Sequence, residues 1–126
     1  MIHGDKAQVE TRFAFINGVS DSCLYLHPPA QLSFEIPASS GGRFSTAIAI
    51  QPEAWDQPSS GGCEFFIELN GERVFTKRIN PPKISDDRCW HEVTLDFPAS
   101  ESGSHKIVFG TRAIGTPADF RWALWR

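Results

Sequence analysis

The sequence predicts an all-β domain, an antiparallel β-sandwich, and three observations lead to it. Apolar and polar residues alternate with period two in run after run. Pro, Gly, Asn, Asp and Ser separate these runs at short intervals. No stretch keeps a helical period for more than about two turns. Short connections without crossover helices pair strands antiparallel, and about eight such strands close as two sheets across one core. Jelly-roll order is the expected one, although periodicity does not encode strand order.

Taken in order, TRFAFIN at 11–17 sets Phe13 and Phe15 on one face. LYLHPPAQLSFEIPA at 24–38 rounds a corner and becomes a strand, with Leu32, Phe34 and Ile36 inward and Ser33 and Glu35 outward. Pro28 and Pro29 lack amide donors and hold the chain extended. His27 ahead of them is expected to bond a loop backbone and lock the corner, a mechanical role simpler than ligand contact. RFSTAIAI at 43–50 sets Phe44, Thr46, Ile48 and Ile50 against Ser45, Ala47 and Ala49, a small second face suited to burial under another layer. QPEAWDQ is the helical candidate, with Pro52 suiting a first turn and Pro58 stopping it.

The clearest local signal is CEFFIELNGERVFTKRI. Asn70-Gly71 lies between two alternating runs, and both residues accept the positive φ of a type I′ hairpin turn. Strands are expected at 63–69 and 72–79. CWHEVTLDF, HKIVFGTR and DFRWALWR follow as further strands, separated by the loops NPPKISDDR, PASESGS and AIGTPA.

The 126 residues suit one domain, which should bury roughly two-thirds of its unfolded surface. A formal charge of −3 without runs of like sign argues against nucleic acid as a partner. No apolar run reaches the roughly 20 residues of a bilayer span, and MIHGDKAQVE lacks the apolar core of a signal peptide. No membrane insertion is therefore expected. The three cysteines, Cys23, Cys63 and Cys89, are odd in number and lack CxxC spacing, which suggests a reducing, cytoplasmic setting. Export by another route would instead leave one disulfide and one free thiol.

Catalytic signatures are missing. His3, His27, His91 and His105 show no zinc spacing, and no GxSxG, P-loop or GxGxxG occurs. Cys89-Trp90-His91 places a thiol near an imidazole, but residues two apart on a strand lie roughly 7 Å apart, too far for direct proton transfer. Asp86-Asp87 is read as a solvated loop pair without metal-ligand spacing. The chain is therefore expected not to be an enzyme, and to need no cofactor.

What remains is aromatic. Trp55, Trp90, Trp122 and Trp125 are many for this size. Trp122 and Trp125 are three apart, so a regular strand points them to opposite faces. A flat ring stacks on the C–H face of a sugar while Arg, His, Asp and Asn bond its hydroxyls. Sugar-binding candidates are Trp55, Asp56, Arg88, Trp90, His91, Arg112 and Trp125. His27, Pro28, Pro29, Asn70, Gly71 and Trp122 are assigned structural roles. For any single Trp, core packing is the simpler reading.

Five segments in one order, LYLHPPAQLSFEIP, AIAIQPEAWD, GGCEFFIELNGERVF, RCWHEVTLDF and HKIVFGTR…DFRWALW, resemble the bacterial accessory domains related to NPCBM-type carbohydrate-binding modules. The resemblance spans about residues 9 to 126. It implies a galactose-binding-like jelly roll of the kind appended to glycoside hydrolases, glycosyltransferases and surface-polysaccharide proteins. His27-Pro28-Pro29 matches the family's "hPP" lead-in, Trp55 the aromatic after "pe", Gly61-Gly62 the turn before the hairpin, and Trp90 the Trp opening the next strand. Trp122, Ala123 and Trp125 match the closing "DWAxW". Arg121 departs from the acid usual there, and a basic residue neither binds calcium nor accepts from a sugar hydroxyl. Related jelly rolls often carry a structural calcium, which no ligand spacing here supports. The chain stops at Arg126 without the Gly-x-Pro of many relatives, as an excised domain would.

Two functions follow. The first is a non-catalytic module whose partner is carbohydrate. The alternative is a structural or protein-interaction domain without a sugar site, docking on other domains of a parent protein or on a second copy through WALWR.

Overall fold

Ten strands form, in a computed structural model that describes residues 2–3, 9–16, 19–26, 30–56, 62–114 and 123–125. They are β1 (Ile2–His3), β2 (Val9–Ile16), β3 (Val19–Leu26), β4 (Ala30–Pro37), β5 (Gly42–Ile50), β6 (Cys63–Leu69), β7 (Glu72–Ile79), β8 (His91–Phe97), β9 (Ser104–Ala113) and β10 (Ala123–Trp125). Two five-stranded antiparallel sheets result, β1-β4-β9-β6-β7 and β2-β3-β10-β5-β8. The all-β sandwich is as the alternation predicts. The expected facing of Phe13 and Phe15 concerns side chains outside the described residues, as do His27-Pro28-Pro29, Gly61, Arg121 and Trp122.

Between the sheets, Ile48, Ile50, Phe65, Ile67, Ile79, Ile107 and Trp125 form the main core. The second face of β5 is covered at Ala47 and Ala49, while Ser45 stays exposed. Ala47 and Ala49 are fully buried, and Ala49 packs with Ile16, Cys23 and Tyr25 beneath Trp55 and Trp90. Alanines let that second layer approach closely, as their spacing suggested.

The Asn70-Gly71 hairpin forms as expected, with φ of 52° and 85°. Asn70 Oδ1 accepts the Lys106 N–H at 2.9 Å, which fixes the amide orientation. Its Nδ2 therefore donates to His105 Nδ1 at 2.6 Å, and His105 Nε2 donates to the Pro98 carbonyl at 2.7 Å. The turn is thus pinned to β9 and to the loop before it.

Several expectations are corrected. β3 was not anticipated, because Ser20, Asp21 and Ser22 dilute its alternation. The register Ile16↔Val19 leaves two residues between β2 and β3, and they are Asn-Gly, the same dipeptide as at 70–71. QPEAWDQ, the helical candidate of at most about two turns, gives one 3₁₀ turn at Pro52–Ala54. Phe34 is 45% exposed, not core, because β1 covers β4 only at Gln31 and Leu32; its ring meets Phe109 edge-on at 6.1 Å. Ser33, expected outside, is buried.

The two ends of the sandwich differ. At one end the connections are short, at 17–18, 38–41, 70–71 and 98–103. At the other, β3, β5, β7 and β9 finish, and the sequence to the next strand is mostly longer. Long connections on a rigid frame are where binding residues collect. Among the described residues no helix is long and apolar enough to cross a membrane.

Candidate functional site

At the long-loop end, the 3₁₀ turn after β5 seats buried Ala54 and delivers Trp55, whose N–H donates to the Pro52 carbonyl at 3.0 Å. The indole Nε1 donates to the Ile50 carbonyl at 2.7 Å, so the half-buried ring is fixed on its own strand. Arg88 then ties the two longest loops together. Its Nε donates to the Pro81 carbonyl at 2.9 Å and its Nη2 to the Trp55 carbonyl at 3.0 Å, while Nη1 lies 3.4 Å from Asp56 Oδ1. The guanidinium sits 6.0 Å from the Trp55 ring centroid, at the outer limit of cation–π attraction.

The same loop holds a second 3₁₀ turn at Ser85–Asp87. Asp87 is buried rather than solvated, which corrects the reading of Asp86-Asp87 as a solvated pair; Asp86 alone stays exposed. Asp87 Oδ2 accepts the Asn80 N–H at 2.9 Å, and its Oδ1 lies 3.4 Å from His91 Nε2. A buried carboxylate with a backbone donor and an imidazole at hand is compensated for its lost water.

Cys89 Sγ lies 3.9 Å from His91 Nε2, not the 7 Å expected of strand geometry, because β8 begins only at His91 and Cys89 sits in the bend before it. The electrostatics still oppose an activated thiolate. Burial, then Asp87 and Asp86, push the Cys89 thiol up against the pull of Lys77. Burial and Lys77 hold the His91 imidazole below its ordinary value, with Asp87 opposing. Both shifts favour the neutral thiol and neutral imidazole over the ion pair a nucleophile needs. Cys89 should therefore react with iodoacetamide at neutral pH more slowly than cysteine in an unstructured peptide. Its rate should climb only above the usual thiol range of about 8.5, and peptide mapping after a pH series of labelling reads this directly.

Trp55, Asp56, Arg88, Trp90 and His91 thus gather at one end, Trp55 and Trp90 sharing the apolar cluster beneath them. Two expected ligand residues do not join. Trp125 is 5% exposed and packs edge-on to Phe65 and Phe109 at 5.4 and 5.3 Å, so it is core and not a stacking platform. Sheet pairing draws it in: Trp125 faces Ile48 on β5 and Leu24 on β3. Arg112 stands on the outer face of the other sheet, 2.9 Å from Glu64. Sequence reading missed Glu64, Arg73 and Arg78, which surround that position. Among the described residues no three His, Cys, Asp or Glu side chains converge.

No protein-family profile matches the chain. An uncharacterized protein of Archaeoglobus fulgidus is 31% identical over 91 residues, covering 69% of this chain. The chain spans 22% of that relative's length. Among solved structures, the CBM51-2 domain of Clostridium perfringens ZmpB, in complex with GlcNAc and with INT domains, superposes with a TM-score of 0.73 at 12% identity, covering 99% of this chain and 28% of its own. The CBM51 domain from Clostridium perfringens GH95 in complex with methyl-galactose gives 0.61 at 14% identity, covering 99% and 83%. The carbohydrate-binding module CBM6cm-2 from Cellvibrio mixtus lichenase 5A, in complex with cellotriose, gives 0.51 at 18% identity, covering 98% and 87%. The chain shares the β-sandwich fold of these modules.

Proposed function

We propose that the chain is a non-catalytic carbohydrate-binding accessory module that takes a glycan at its long-loop end. Trp55 provides the stacking ring, and Asp56, Arg88, Trp90 and His91 surround it. One observation carries this reading: residues from two separate loops converge on an indole whose N–H is already bonded to its own strand. The ring is therefore held in place before any ligand arrives, and pre-ordered groups bind at lower entropic cost. The sugars held by similar solved domains support a glycan as the ligand class.

A shallow site of this kind binds at roughly millimolar to micromolar Kd, about −4 to −8 kcal/mol. The chain's 22% share of the archaeal relative supports its being one unit of a larger protein, where tethering raises effective concentration. The odd count of three cysteines without CxxC spacing supports a reducing, cytoplasmic setting.

Isothermal titration against neutral mono- and oligosaccharides should give heat with at least one of them, lost in Trp55→Ala and kept in Arg112→Ala. No heat with any sugar counts against the reading. Arg88 favours the alternative, since its guanidinium already serves Pro81, Trp55 and Asp56. A scaffold or interaction domain of a glycosyltransferase or surface-polysaccharide protein would instead self-associate in light scattering and shield its tryptophans from a quencher.

A further inference from the structure

Apart from the loop end, the outer face of the sheet β1-β4-β9-β6-β7 carries an unusual charge arrangement. Glu64 lies on β6 with its side chain only 6% exposed. Three guanidiniums reach it from the neighbouring strands. Arg112 on β9 is 2.9 Å from Oε1, Arg78 on β7 is 3.3 Å from Oε2, and Arg73 is 3.7 Å from Oε1. Arg73 also lies 3.5 Å from Glu68 and 4.0 Å above the ring of Phe66. Phe66 lies down on Gly110, where any side chain would run into its ring, so the face stays low and flat there.

One forked arginine is enough to pair a carboxylate. Here three guanidiniums share two acids, which leaves positive charge in surplus. Arg78 and Arg112 are 65% and 63% exposed, and each guanidinium carries five N–H donors, most of them not engaged with Glu64. Glu64 acts as the peg that fixes the two forks side by side.

We propose that Arg73, Arg78 and Arg112 form a binding surface for an acidic glycan, whose carboxylate or sulfate groups take the free guanidinium donors around Glu64. The planar fork suits such oxyanions, and exposed forks held in position bind them with little further ordering. The chain's charge of −3 disfavours a polyphosphate, which needs neutralisation over a long stretch. A sparsely charged glycan asks only for this local patch. The surface uses none of the loop-end residues, so it stands or falls independently of the neutral-sugar site.

The test titrates the whole chain with four probes: an oligogalacturonate, the same oligomer with its carboxyls reduced, a chondroitin sulfate oligomer and an oligothymidylate. At least one acidic probe should bind, weakening with added NaCl, while the reduced oligomer does not compete at this face. Arg78→Gln/Arg112→Gln should weaken acidic binding roughly tenfold or more, and Trp55→Ala should leave it unchanged. Near-UV circular dichroism confirms the fold of the double variant. Arg112→Lys, which keeps the charge and loses the fork, gives a milder second reading should that variant unfold. Equal binding of the reduced oligomer and its acidic parent by the Trp55→Ala variant, tighter binding of an oligothymidylate, or wild-type affinity in the folded double variant would each overturn the proposal.

Discussion

Trp125→Ala should cost about 3–5 kcal/mol of folding stability, a large part of the roughly 5–15 kcal/mol typical of a whole domain. The indole is sealed in the core against Phe65 and Phe109, and its removal opens a cavity between the sheets. Urea unfolding followed by circular dichroism measures the loss as a lower midpoint. The companion Trp125→Phe should be far milder. Trp125 Nε1 finds no hydrogen-bond partner among the described residues, so phenylalanine removes an unsatisfied donor while keeping most of the apolar surface. Were Trp125→Ala instead stable and merely weaker for sugar, its placement in the core would be wrong.

Gly62→Ala should cost about 2–4 kcal/mol, from two causes that a second variant separates. Gly62 has φ of +86°, a region that penalises any Cβ by roughly 1–2 kcal/mol. A Cβ there would also run into the Ile79 carbonyl oxygen and approach Asn80 Cβ to 2.9 Å. Asn tolerates the left-handed backbone but brings the same Cβ. Full recovery in Gly62→Asn would assign the loss to φ and equal losses would assign it to crowding against β7; partial recovery, the expected result, reads out both. Thermal unfolding of the two variants side by side decides.

How far the sequence foretold this molecule depends on whether each feature is local. The Asn70-Gly71 hairpin and the small face of β5 were legible, because turn chemistry and alternation act over neighbouring residues. Trp55, Asp56 and Arg88 were picked for their chemistry, and their convergence follows from two loops leaving the same end. Trp125 was misjudged because its burial depends on a strand pairing with β3 and β5, over seventy residues away, which no local pattern encodes.

The Glu64 cluster shows the same limit more sharply. Counting back from the two-residue turn pairs Glu64 with Lys77. A bulge between Ile67 and Glu68 leaves Val74 unpaired and shifts the register, so Glu64 faces Arg78 instead. One unpaired residue decides which cation meets the buried acid.

The middle position of β10 has a consequence for biosynthesis. Among the described residues β3 and β5 share no pairing of their own, so before β10 joins, the pairs β2-β3 and β5-β8 stand on either side of a gap in their sheet. Until 123–125 arrive, both rims of that gap offer unpaired amides and carbonyls to any passing segment. Closure is therefore a late event, and a crowded population of nascent chains can lend one another the missing piece.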